Sequence, residues 1–143
     1  MQKLYGLKEG FKQQVDALMT RLDQLGIKYY ITEGIRSKEV QAAYYAQGRE
    51  PLVTVNRLRS VAKLRPLTEE ENKKQITWTL KSKHLIGEAI DIVPINPKNN
   101  KLWWTAPFEI WESIGKVAEE FGLEWGGRWK QKDYPHIQTI GSK

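Results

Sequence analysis

The chain has 143 residues, room for one domain and little more. With 40% hydrophobic and 28% charged residues it is neither a disordered tail nor a membrane protein, and no stable membrane insertion is expected. Lys and Arg outnumber Asp and Glu by 23 to 17, and the resulting +6 favours an anionic partner. The absence of cysteine excludes disulfide scaffolds, thiol nucleophiles and Cys-rich zinc knuckles, so any metal must be held by His and carboxylates. The first twenty residues scatter Lys and Glu where a signal peptide would carry an apolar run, which predicts a chain made in the cytoplasm.

In chain order, Phe11, Val15, Leu18, Met19, Leu22 and Leu25 recur at helical spacing and predict a helix from Lys8 to Gly26. The Tyr-, Ile- and Thr-rich stretch from Lys28 to Gly34 reads as a strand. Ser37 is placed to cap a helix running to Ala46 and stopped by Gly48. Asn56 to Lys74, strongly basic and then strongly acidic, reads as a surface loop or insertion, with a capping box between Thr68 and Glu71. A short strand is expected at Ile76–Leu80 and a clear one at Ala89–Ile95, ended by Pro94, Pro97 and the polar turn. Ile110, Trp111, Ile114 and Val117 predict a helix over Phe108–Phe121, and His136–Ile140 a last strand. Without βαβ regularity the expected class is α+β, one domain over residues 1–143 with a small antiparallel sheet flanked by helices.

Both histidines sit beside carboxylates. One segment runs from Ser82 to Asp91 and contains His84; the other is Asp133-Tyr134-Pro135-His136. A catalytic zinc takes three protein ligands and keeps one open position. His84, Asp91 and His136 would supply that set, leaving Asp133 as a nearby base. In a strand from Ala89, Asp91 shares a face with Ala89 and Val93, while Ile90 and Ile92 point to the core. Gly87 permits the turn that returns His84 toward Asp91. Pro135 imposes extended geometry on Tyr134, so Asp133 must lie in the loop before the last strand to share a metal with His136. Singly, an Asp on a strand is more often solvated and a His more often a satisfied polar group; the matching contexts of both histidines shift the balance toward a site.

The pattern S-x-H-x-x-G-x-A-x-D followed by D-x-P-H resembles the M15 zinc peptidases, the D-Ala-D-Ala carboxypeptidases and L-alanyl-D-glutamate endopeptidases of peptidoglycan stems. Glu33-Gly34-Ile35-Arg36-Ser37, Tyr45-Ala46-Gln47-Gly48-Arg49, Val53-Thr54 and Trp125-Gly126-Gly127 carry the resemblance over about residues 25–140. The Tyr-Ala-Gln-Gly-Arg run and Asp rather than Glu at 133 are more similar to the endopeptidase branch, which includes phage endolysins. The resemblance implies a Hedgehog/D-Ala-D-Ala peptidase-like fold and zinc-dependent hydrolysis of an amide in peptidoglycan, with Zn2+ on His84, Asp91 and His136. It implies Asp133 as the catalytic proton acceptor and Arg36 as a substrate or oxyanion contact. Ser82 either binds substrate or hydrogen-bonds the ligand loop. It further implies a monomer that accumulates in the cytoplasm until released onto the wall. Arg128, after Trp-Gly-Gly, departs from the acidic or amide residue common there.

Other readings compete. A D-Ala-D-Ala carboxypeptidase or dipeptidase of the same family uses the same motif. A non-catalytic basic wall- or nucleic-acid-binding module would explain the charge but neither histidine segment, and no nucleic-acid partner is expected. Trp103, Trp104 and Trp125 read as core more readily than as a substrate groove, and Tyr44 and Tyr45 as packing. Arg57, Arg59, Lys63 and Arg65 read first as a solvated face, second as a wall-attracting patch.

Overall fold

The computed structural model describes residues 6–77 and 83–140, which form two compact units: 1–35 with 86–143, and 36–85. In chain order the helices are α1 (Glu9–Gln24), α2 (Lys38–Ala46), α3 (Leu52–Val61) and α4 (Phe108–Glu120), with α1 and α4 in the first unit. Phe11, Val15, Leu18 and Leu22 of α1 are buried at the expected spacing. Leu25, assigned to the same stripe, lies past the last turn and is exposed. There the Ile27 N–H reaches back to the Leu22 carbonyl at 3.0 Å and the Gly26 N–H to Asp23 at 3.1 Å, satisfying two carbonyls the helix leaves open.

The sheet of this unit contains β1 (Tyr29–Glu33), β2 (Ala89–Pro94), β3 (Leu123–Trp125) and β4 (His136–Thr139), in the order β1-β2-β4-β3 with every pairing antiparallel. β2 is therefore central. Ile90 and Ile92 enter the core as expected, but Ala89 and Val93 on the other face are equally buried, because a central strand is covered on both sides. The short β3 follows Gly122 and has no counterpart among the predicted elements, three residues being too few to show alternation. Helix α4 buries Trp111, Ile114, Gly115, Val117 and Ala118. One apolar cluster unites α1, α4 and the sheet, with Trp125 and Ile137 fully buried. Trp125 meets the core expectation; Trp104 does not, being 56% exposed.

The second unit holds α2 and α3. Ser37 caps α2 by accepting a hydrogen bond from the Val40 N–H at 3.1 Å. α3 corrects the expectation of a loop from Asn56. Its β-branched residues depress helix propensity and its buried positions are few, yet Val55 packs with Ala46, Leu67, Leu52 and Leu58 in a small core of its own. Tertiary burial supplies what local preference lacks. Beyond α3 the capping box forms reciprocally, with Glu71 N–H to Thr68 Oγ1 at 3.2 Å and Thr68 N–H to Glu71 Oε1 at 2.9 Å, but it opens a single 3-10 turn, Glu71–Lys73. The solvated-face reading fails for Arg59, which is 7% exposed and donates from Nε to the Arg65 carbonyl. Of the strand expected at Ile76–Leu80, Ile76 and Thr77 have no regular structure, and residues 78–80 lie outside the described residues.

Candidate metal centre

Antiparallel register sets Asp91 of β2 directly opposite His136 of β4. On the other side of β2, the register shifts between Ile31 and Glu33, so that Glu33 pairs with Asp91 across a local irregularity. Such a bulge bends the strand where a side chain is to be re-aimed. His136 Nδ1 lies 3.4 Å from Asp91 Oδ1. His84, only 1% exposed, stands on the 3-10 turn Lys83–Ile86, which runs into β2 through Gly87 at φ +72°. Gly87 is required there, since a Cβ would strike the Gly6 carbonyl as well as occupy a left-handed conformation. Among the described residues His84, Asp91 and His136 are the histidine and carboxylate group that could hold a metal ion.

The donor set fits a zinc ion. Bonds of about 2.0–2.2 Å in a tetrahedral site put neighbouring ligand atoms about 3.4 Å apart, the separation found between His136 and Asp91. Two imidazoles and one carboxylate match the ion's preference and leave a fourth position open. Electrostatics favour a cation at this point. Burial alone would lower the His136 pKa, yet hydrogen bonding and charge attraction from Asp91, with help from Gln138 and Asp133, outweigh it and leave the pKa raised.

Asp133 lies in the loop before β4 and is exposed. That loop is anchored around it. The Asp133 N–H donates to the Gly126 carbonyl at 3.0 Å, and the Asp133 carbonyl accepts from the His136 N–H at 3.1 Å. Tyr134 inserts its ring among Phe108, Trp111 and Trp125, with centroids 5.9–6.1 Å apart, and its carbonyl accepts from the Trp125 indole N–H at 2.7 Å. Gly126 allows the close approach, for any Cβ there would collide with the Asp133 carbonyl. The Trp-Gly-Gly motif is thus the mount of the Asp133–His136 loop.

In the second unit the Arg36 N–H donates to the His84 carbonyl at 2.9 Å, a backbone link with no sequence signature. The Arg36 guanidinium donates to Gln41 Oε1 at 2.6 Å and lies over the Tyr44 ring. Ser82 lies outside the described residues. Arg128 is held by Glu119 at 3.0 Å and Glu112 at 3.6 Å and covers Trp125, which accounts for its departure from the family pattern as a packing and ion-pair residue. Sequence reasoning misses three residues around His136. Gln138 Oε1 is 2.8 Å from His136 Nε2, the Trp129 ring lies 5.0 Å from the imidazole, and Glu124 takes the Trp129 indole N–H at 2.6 Å. Only the two-residue step from His136 to Gln138 along a strand hints at a shared face.

A family model described as D-alanyl-D-alanine carboxypeptidase matches residues 75–139. The peptidoglycan L-alanyl-D-glutamate endopeptidase CwlK of Bacillus subtilis (strain 168) is 31% identical over 137 residues, covering 90% of this chain and 71% of that protein. The L-alanyl-D-glutamate peptidase of Listeria phage A118 is 27% identical over 133 residues, 92% of this chain but 37% of the phage protein. In fold, the chain is similar to the Serratia marcescens L-Ala D-Glu endopeptidase ChiX, with a TM-score of 0.61 at 21% identity, covering 96% of this chain and 84% of that one. It is also similar to the D,D-pentapeptidase VanY, solved with Zn(II), with a TM-score of 0.57 at 14% identity over 99% of this chain and 78% of that one. The α+β expectation holds, and the likeness to CwlK, together with the matched family model, shows that this chain belongs to the M15 peptidase family.

Proposed function

We propose that this chain is a zinc-dependent peptidase that hydrolyses the L-alanyl-D-glutamate amide of peptidoglycan stem peptides. The observation that carries the reading is the facing of Asp91 and His136 across paired strands, 3.4 Å apart, with His84 as the third candidate ligand in a chain of this family. The names of the B. subtilis and phage relatives support the choice of bond, and action on the wall after release from the cytoplasm is part of the same reading. No described helix is long and apolar enough to cross a membrane.

In this reading His84, Asp91 and His136 hold the zinc. When bound, the ion supplies Lewis acidity that activates a water and polarises the scissile carbonyl. Asp133, exposed and fixed through its backbone to Gly126, accepts the water's proton on its carboxylate and delivers it to the leaving amine nitrogen. Arg36, its guanidinium oriented by Gln41 and Tyr44, binds the substrate or the developing oxyanion. Ser82 is assigned to substrate binding or to the ligand loop.

Purified peptidoglycan incubated with the protein should lose turbidity, and a chelator should abolish the loss. Mass spectrometry should find a new free D-glutamate amine on the stems. Release of terminal D-alanine in its place would favour the carboxypeptidase reading, which the description of the matched family model supports. Intact stems with zinc supplied would refute both.

A further inference from the structure

We infer that Gln138 is a positioning residue that fixes the ring orientation and tautomer of His136, so that Nδ1 is the atom offered to the metal. The inference rests on the zinc reading above. His136 and Gln138 are two apart on β4 and so share one face of the sheet, while Ile137 between them is buried in the core. The two ring nitrogens then face different partners. Nδ1 points to Asp91 at 3.4 Å, and Nε2 lies 2.8 Å from Gln138 Oε1.

A neutral imidazole has one N–H and one lone pair, so the partner of one nitrogen decides the role of the other. With the Gln138 amide oxygen accepting from Nε2–H, the lone pair is left on Nδ1, beside Asp91 and within the ligand cluster. Were the ring turned over, the Cδ2 carbon would take the place of Nδ1 beside Asp91 and the Gln138 contact would be lost. Metal-bound histidines commonly use a carbonyl or carboxylate on the second nitrogen in this way.

The surroundings suit Gln138 to that task. Its cross-strand neighbour on β2 is Ala89, too small to compete for the amide. Its neighbour on β3 is Glu124, whose carboxylate is engaged by the Trp129 indole N–H at 2.6 Å. The same Trp129 lies on the imidazole with its ring tilted by 47°. His136 is therefore held on an edge by Gln138 and on a face by Trp129.

The test measures zinc affinity by competition with a chromophoric chelator, for the wild type, Gln138→Leu and Gln138→Glu. Gln138→Leu keeps the side-chain bulk and loses the acceptor, and should weaken zinc binding by about 10–100-fold. Gln138→Glu restores an acceptor and should bind within a few-fold of wild type or more tightly. Melting of the three metal-free proteins checks that the fold is common to them. On the unaltered protein loaded with zinc, long-range 15N NMR should find His136 Nε2 protonated and Nδ1 ligated, with only two imidazoles to assign. Ligation through Nε2, or wild-type affinity in Gln138→Leu while the wild type binds zinc, would overturn the role of Gln138 alone. Absence of zinc binding by the wild type would overturn the metal reading and this inference with it.

Discussion

Replacing Gly126 by Ala adds one methyl group at the most constrained point of the candidate site. Its Cβ would collide with the Asp133 carbonyl oxygen and stand 3.1 Å from Asp133 Cβ and 3.2 Å from His136 Cβ. Backbone and Cβ atoms have no rotamer by which to yield, so relief requires the loop itself to move. Overpacking of this kind costs about 1–3 kcal/mol, which for a chain of this length is a fall of roughly 3–12 °C in Tm. The larger effect should be on catalysis, because the loop that shifts carries Asp133, and about 1 Å of misplacement at reacting groups costs on the order of 10²-fold in rate. Gly10→Ala is the control. Nothing lies within 4 Å of a Cβ there, and the position is in the first turn of α1, so the change should be neutral or stabilise by up to about 1 kcal/mol. Thermal melting and initial rates on a soluble stem peptide read both variants. Wild-type melting and wild-type rate in Gly126→Ala would refute the claim that this glycine mounts the loop carrying Asp133.

The wild-type protein should carry about one equivalent of zinc, and His84→Ala should lose most of it by elemental analysis; full retention would remove His84 from the ligand set. Asp133→Asn should keep its zinc and lose about 10²–10⁴-fold in kcat, whereas near-normal turnover would make Asp133 a loop residue only. The Glu71 carboxyl is held down to about 2 from its ordinary 4.5, first by hydrogen bonding from the Arg65 guanidinium and then by the Thr68 N–H. Because the folded value is depressed, the stability this contributes is present above pH 4.5 and is lost as pH falls toward 2. A carboxyl-carbon NMR titration should show that low midpoint, and Arg65→Ala should return it toward 4.5.

Features whose partners lie close along the chain are legible in the sequence itself. Ser37 and Gly26 bound their helices because capping needs only the neighbouring backbone, and Thr68 meets Glu71 for the same reason. Asp133 falls in the loop before β4, as sharing a site with His136 across the extended Tyr134-Pro135 step would demand. The two histidine segments identify the ligand candidates because zinc chemistry narrows the residue types, and this chain has only two histidines. Helix α3 and Arg59 are misread from sequence, since Val55 is ordered by burial with Ala46 and Leu67 and Arg59 by its bond to the Arg65 carbonyl, contacts that the local pattern does not announce. Which nitrogen of His136 faces Asp91, and that Gln138, Trp129 and Glu124 surround the ring, follow from the β2–β4 and β3–β4 registers. Strand pairing joins positions 45 residues apart at Asp91 and His136, and only the folded sheet sets them 3.4 Å from one another.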